Sequence, residues 1–219
     1  RAMLVVDDAH GLGVLGPNGG GTVELFGLGA ADVPLLVGTL GKAFGSFGAF
    51  VAGGRDLVDL LIQRARTYIY TTALPPAIAE ATRAALGIVR AEPWRAARVL
   101  AHAARFRALA EQAGLPLAAS STPIQPVLLG TPQAATAASE ALLERGLLVS
   151  AIRPPTVPEG GSRLRVTLSA AHAEADIERL VDALAEALPE GSDPTLSRKG
   201  DTVGSDPSSA GPQGGQSGV

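Results

Sequence analysis

The sequence contains no cysteine, which removes a disulfide framework, a thiolate metal site and a cysteine nucleophile from consideration. Its three histidines, His10, His102 and His172, are too few for a multi-histidine metal site. Aromatic residues make up only 4%, with one Trp, two Tyr and five Phe, so a core must be built from Ala, Val, Leu and Ile. Excess charge of either sign is also missing. Lys plus Arg is 18 against 21 for Asp plus Glu, a formal −3 that argues against nucleic acid or an anionic membrane as the main partner. No apolar run reaches the roughly 18 residues that suggest a membrane span. No basic-then-apolar leader opens the chain. The expectation is a soluble cytoplasmic protein. What the chain does have is apolar mass: 46% hydrophobic residues in 219, enough for one to two domains.

The chain opens RAMLVVDDAH, with no initiator Met and a strand-like run in its first residues. The expectation is the C-terminal part of a longer protein. At the other end, residues 189–219 hold 7 Gly, 4 Pro and 6 Ser and no apolar periodicity, which reads as a disordered tail. Between them strands and helices alternate in an α/β pattern. Ala2–Val6, Leu35–Leu40 and Phe47–Ala52 read as buried parallel strands. Helices are expected over Arg55–Tyr68, from Pro75-Pro76 to Ala91, and over Pro93–Ala113. A smaller α/β unit follows from Leu115. It has strands at Pro126–Leu129, Leu147–Ile152 and Leu164–Leu168. One helix starts at Thr131-Pro132 and ends at Gly146, and a last helix carries Ile177, Leu180, Val181, Leu184 and Leu188 at helical spacing. The expected domains are 1–90, half of a large α/β domain, and 91–188, a small C-terminal α/β domain.

Two constellations carry chemistry. In Asp7-Asp8-Ala9-His10 an acid and an imidazole follow a strand, and the C-terminal ends of strands are where α/β folds place ligands. An ordinary turn is the alternative. In Gly38-Thr39-Leu40-Gly41-Lys42-Ala43-Phe44-Gly45 a Lys sits among small residues. Kept from bulk water, it can act as an amine nucleophile on a carbonyl. The alternative is a solvated Lys in a glycine loop. The order required of a phosphate loop is absent, since Ala43 follows the Lys. That absence also weakens a helicase reading of Asp-Asp-Ala-His. Together the two elements suit pyridoxal phosphate, which needs a Lys for its carbonyl, an acid for its pyridine nitrogen and donors for its phosphate. Asp7 can serve as the acid, His10 can reach the phenolic oxygen, and Thr39 can bond the phosphate. His102 reads as a surface or half-buried helix residue, His172 as a residue preceding or capping the last helix, and Trp94 as packing.

Four stretches extend this reading: VVDDAHGLGVLGPNGGG (5–21), TLGKAFGSFGAFVAG (39–53), YTTALPP (70–76) and IRPPTVPEGGSRLRVTLSAAH (152–172). In them the chain resembles the α-oxoamine synthases, a family of fold type I pyridoxal-phosphate-dependent transferases, over residues 1 to about 188. The resemblance implies that Lys42 holds the cofactor covalently and moves protons, with His10 a second catalytic residue. It implies that Asp7 pairs with the pyridinium, His10 with the phenolic oxygen and Thr39 with the phosphate. Thr72 would reach the phosphate of a neighbouring subunit in a homodimer with shared sites. Arg153 and Thr156 lie in a substrate-contacting segment, and Arg165 is a candidate for a substrate carboxylate. For Arg163 and Arg165 a solvated strand face is the alternative. RPPTVP followed by SRLR is similar to the biotin-pathway branch, whose reaction is a decarboxylating condensation of L-alanine with pimeloyl-CoA or pimeloyl-acyl carrier protein. A branch using glycine or serine, or a non-catalytic dimerising homologue, stays open. Gly48-Ala49 stands where some members have a glycine pair. The family's ring-stacking His and phosphate loop have no counterpart here, so the chain alone is not expected to be a competent enzyme.

Overall fold

The computed structural model describes residues 2–188. The expected tail over 189–219 lies outside the described residues. The chain divides into two compact units, the first ending at His102 and the second beginning at Ala103.

The first unit is built on a three-stranded sheet of β1 (Val5–Asp7), β2 (Leu35–Thr39) and β3 (Ala49–Gly53), in the order β1-β2-β3. β1 and β2 run parallel, with Val5 opposite Leu35 and Asp7 opposite Val37. β3 does not follow the parallel expectation. It pairs antiparallel with β2, Leu35 opposite Gly53 and Thr39 opposite Ala49. The cause is the link from Thr39 to Ala49, which is shorter than the roughly dozen residues a parallel crossover needs. The expected burial also fails, since Val5 stays 49% and Val51 45% exposed. Apolar parallel strands need cover on both faces, and among the described strands of this sheet α2 (Arg55–Arg64) packs chiefly beside β3.

A short α1 (Gly21–Leu25), not anticipated from the sequence, sits in the β1–β2 connection. The helix expected over Arg55–Tyr68 is two pieces, α2 and α3 (Arg66–Ile69), because Ala65 adopts an extended conformation at φ −73°, ψ 103°. α4 (Pro76–Ala91) opens as expected, with Pro76 in its first turn, where the missing N–H has no helical partner to lose. α5 (Trp94–Gln112) carries the residue at which the units divide. His102, expected at the surface or half-buried, is instead fully buried at 4% exposed. It lies on the same helical stripe as Val99, Ala103, Phe106 and Ala110, all buried, and that i, i+3, i+4 spacing carries it inward. Trp94 is 49% exposed and carries the Arg95 guanidinium over its ring at 4.7 Å.

The second unit is an antiparallel sheet in the order β4-β6-β5, formed by β4 (Ile124–Gly130), β5 (Ser150–Ile152) and β6 (Ser162–Thr167). α6 (Pro132–Glu144) packs against all three strands and against α7 (Glu174–Ala187). Along β6 the side chains alternate: Ser162, Leu164 and Val166 are buried, while Arg165 and Thr167 are exposed. The core joins Val127, Leu142, Leu164, Ile177 and Leu184. Thr131 caps α6 as the sequence indicates, its hydroxyl accepting from Ala134 N at 3.2 Å. His172 precedes α7, its Nδ1 accepting from Ser169 N at 3.2 Å.

Candidate active site

Because β1 and β2 are parallel and in register, their C-terminal ends share one edge of the first unit's sheet. β1 ends on Asp7, opposite Val37, and β2 runs two residues further to Thr39. Asp7 is exposed, and one of its oxygens, Oδ1, accepts from Ala9 N at 3.0 Å. That bond orients the carboxylate and leaves Oδ2 open. His10 is exposed in the turn that follows, where Gly11 N and Leu12 N both donate to Asp8 O at 3.1 Å.

Lys42 sits in the connection after β2. Leu40 N donates to Gly48 O at 2.8 Å, Ser46 N to Leu40 O at 2.8 Å and Gly45 N to Lys42 O at 2.9 Å, so the loop is tightly cinched. Thr39 Oγ1 lies at its base, donating to Gly48 O at 3.2 Å and accepting from Gly41 N at 3.3 Å. Ser46 Oγ meets Thr82 Oγ1 at 2.9 Å, which ties the loop to α4. The Lys42 amine is exposed and joins no ion pair among the described residues. It is one of two lysines in the sequence, the other being Lys199.

Three side chains that sequence reasoning passed over hold the edge in shape. Asp8 is 3% exposed and bonds Thr22 through both oxygens. Glu24 accepts from Asn18 Nδ2 at 2.6 Å and from Gly20 N at 2.7 Å. The Asn18 side chain first, and the Gly20 N–H next, hold its carboxyl below the usual carboxylate range. The only signal in the sequence was an acid beside Asp7 and a Thr-Val-Glu after a glycine run, which no spacing rule connects.

The remaining expected residues lie elsewhere. Thr72 is exposed in the segment between α3 and α4 and shares no hydrogen bond with Asp7, Thr39 or Lys42. Arg153, Thr156 and Arg165 belong to the second unit. Arg153 Nη1 donates to Thr136 Oγ1 at 3.2 Å, and Thr156 N donates to Arg153 O at 3.0 Å. Arg165 is exposed on β6, whereas Arg163 folds back onto Gly161 O at 2.9 Å. A cavity of about 270 Å³ lies in the first unit, lined by Gly13, Gly19, Phe44, Ile88 and Val89 among others. None of Asp7, His10, Thr39 or Lys42 lines it; Asp7, His10 and Lys42 are exposed and Thr39 is half-buried.

The donor set at that edge fits pyridoxal phosphate. It offers a carboxylate with one free oxygen for a ring nitrogen, an amine with no competing carboxylate for a carbonyl carbon, and a hydroxyl for a phosphate. The aminotransferase class I and II family matches residues 1–184. The chain belongs to this family. It is 62% identical over 190 residues to the 8-amino-7-oxononanoate synthase of Methylococcus capsulatus, covering 87% of this chain and 49% of that protein. With the enzyme of the same name from Pseudomonas putida strain GB-1 the figures are 59% over 189 residues, 86% and 48%. The chain thus spans about half the length of the curated relatives it matches. Among solved structures, a variant serine palmitoyltransferase of S. paucimobilis with a bound PLP–myriocin aldimine superposes with a TM-score of 0.78 at 29% identity, over 84% of this chain and 47% of that one. The 8-amino-7-oxononanoate synthase of Francisella tularensis gives 0.76 at 33%, over 84% and 54%. The mixed α/β fold is therefore that of the fold type I transferases expected from the sequence, of which the chain forms part.

Proposed function

We propose that the protein carrying this chain is a pyridoxal-phosphate-dependent 8-amino-7-oxononanoate synthase, condensing L-alanine with a pimeloyl thioester. The observation that carries the reading is 62% identity over 190 residues to an enzyme of that name, with Asp7 at the end of β1 and Lys42 in the connection that leaves the adjacent β2. In the net reaction a bond forms between the alanine Cα and the thioester carbonyl carbon. The Cα–H bond and the carbon–sulfur bond break, and the carrier leaves as the thiol, with that proton on its sulfur. The bond from Cα to the alanine carboxylate also breaks, releasing carbon dioxide, and a proton takes its place.

Bound at the sheet edge, the cofactor supplies a carbonyl for the amine and an electron sink for the substrate Cα. Asp7 Oδ2 accepts from the protonated ring nitrogen and keeps it charged. Lys42 Nζ would hold the cofactor's carbonyl carbon, and as a free amine it would move the proton at the alanine Cα. His10 meets the phenolic oxygen. Thr39 Oγ1 bonds the phosphate, and Thr72 does so for the neighbouring subunit of a homodimer. Arg153, Thr156 and Arg165 bind substrate, where a planar guanidinium suits a carboxylate.

The test uses the full gene product with pyridoxal phosphate, L-alanine and either pimeloyl-CoA or pimeloyl-acyl carrier protein, with glycine and serine as competitors. Alanine-dependent thiol release is expected, abolished in Lys42→Ala. Borohydride reduction should fix the cofactor on the peptide containing Lys42 and not on that containing Lys199. Release with glycine or serine instead overturns the amino-acid assignment. No release and no trapped cofactor overturns the enzyme.

A further inference from the structure

Asp8 adjoins Asp7 but serves a different end. Its backbone N–H donates to Val37 O at 2.9 Å, fastening it to β2. Its carboxylate is 3% exposed. Oδ2 accepts from Thr22 N and Oδ1 from Thr22 Oγ1, both at 2.6 Å, across a separation of 14 residues. The loop closes so tightly around this carboxylate that a Cβ on either Gly11 or Gly21 would collide with it. Gly21 also sits at φ +82°, a conformation that side chains rarely adopt. His10 stands exposed in the turn beside this knot, a turn closed by the Gly11 and Leu12 amides that donate to Asp8 O.

Burying a carboxylate in this way costs desolvation that an apolar pair of similar volume would avoid. Stability alone is therefore a poor reason for it. What the charge provides is direction: two short charge-assisted bonds define the path of the loop that bears His10.

We propose that Asp8 and Thr22 are a positioning pair that sets His10 against the cofactor, a role that rests on the function proposed above. Neither touches the reacting atoms. Both act through His10.

The experiment uses the full gene product loaded with pyridoxal phosphate. Thr22→Val removes the hydroxyl bond while keeping shape and the N–H bond. Thr22→Ser restores the hydroxyl. His10→Ala is the reference, and Thr22→Val with His10→Ala closes the cycle. The readouts are the pH midpoint of the visible absorbance of the Lys42-bound cofactor, kcat and KM. Thr22→Val is expected to move the absorbance midpoint in the same direction as His10→Ala. It should also lower kcat about tenfold, as misplacement of a catalytic group does, with KM nearly unchanged. Thr22→Ser should restore both, and the double variant should be no worse than His10→Ala. Wild-type behaviour of Thr22→Val, or losses that multiply in the double variant, overturns the proposal. A thermal melt identifies any variant that fails to fold. In that case Asp8→Asn serves, since it keeps shape and lets the Thr22 hydroxyl turn to accept; a smaller shift in the same direction is expected, and no shift counts against the pair. Failure to trap cofactor on Lys42 overturns the function itself, whereas a trapped cofactor with multiplying losses overturns only the pairing.

Discussion

At the scale of single residues, the polar side chains of the first unit divide into those that face out, among them the ones proposed for chemistry, and those turned inward to hold shape. Asp7 and Asp8 are adjacent, yet one is exposed with an open oxygen and the other is 3% exposed with both oxygens used. Asp8 follows β1 but stays fastened to β2 through its N–H, so the alternation of the strand carries on to it and sends the two neighbours to opposite faces. Glu24 is a second shaping residue, and it carries a pH dependence. Its bonds to Asn18 and Gly20 favour the ionised form, so its pKa in the folded chain lies below that in the unfolded one. A depressed carboxyl contributes stability above its unfolded pKa and loses it as pH falls through the folded one. Protection of the Gly20 amide, taken relative to its intrinsic exchange rate, is therefore expected to fall as the pH drops below the ordinary carboxylate range, and Glu24→Gln should remove that dependence. A Gly20 amide equally protected across this range would show that the carboxylate does not hold the loop.

At the scale of elements, local chemistry set most ends and pairing set the rest. The first turn of α4 at Pro76 and the Thr131 cap of α6 were legible because proline geometry and a capping hydroxyl act within a few residues. The direction of β3 was not legible from its apolar run, since that is decided by the length of the link from β2. The break at Ala65 inside an otherwise helical composition was equally silent. Two changes measure what holds the second unit together. Leu164→Ala removes a fully buried side chain from β6 and is expected to cost about 3 kcal/mol of unfolding free energy. Thr131→Ala removes the cap and should cost about 1 kcal/mol. Denaturant midpoints read both, and a smaller loss for Leu164→Ala than for Thr131→Ala would contradict the packing described.

At the scale of the whole molecule, the chain belongs to the aminotransferase class I and II family yet spans about half the length of its curated relatives. Its expected substrate residues lie in the second unit and its cofactor residues in the first. Arg165 is exposed on β6 with no ion pair among the described residues, so it is free to meet a carboxylate. In the full gene product Arg165→Ala should raise KM for one carboxylate-bearing substrate about tenfold with little change in kcat. An unchanged KM for both substrates would return Arg165 to a solvated strand face. The sequence by itself determined the α/β class and the family, and it offered the residues whose type suits the proposed chemistry: an isolated Lys among glycines, an Asp and a His after a strand. Those are local properties, carried by the residue and its immediate neighbours. Only the tertiary structure decided that β3 runs antiparallel, that His102 turns inward, and that the Asp8 carboxylate closes on Thr22. Each of these depends on which distant segment a group meets, and a buried charge or an apolar stripe is satisfied only by the partner that the fold brings to it.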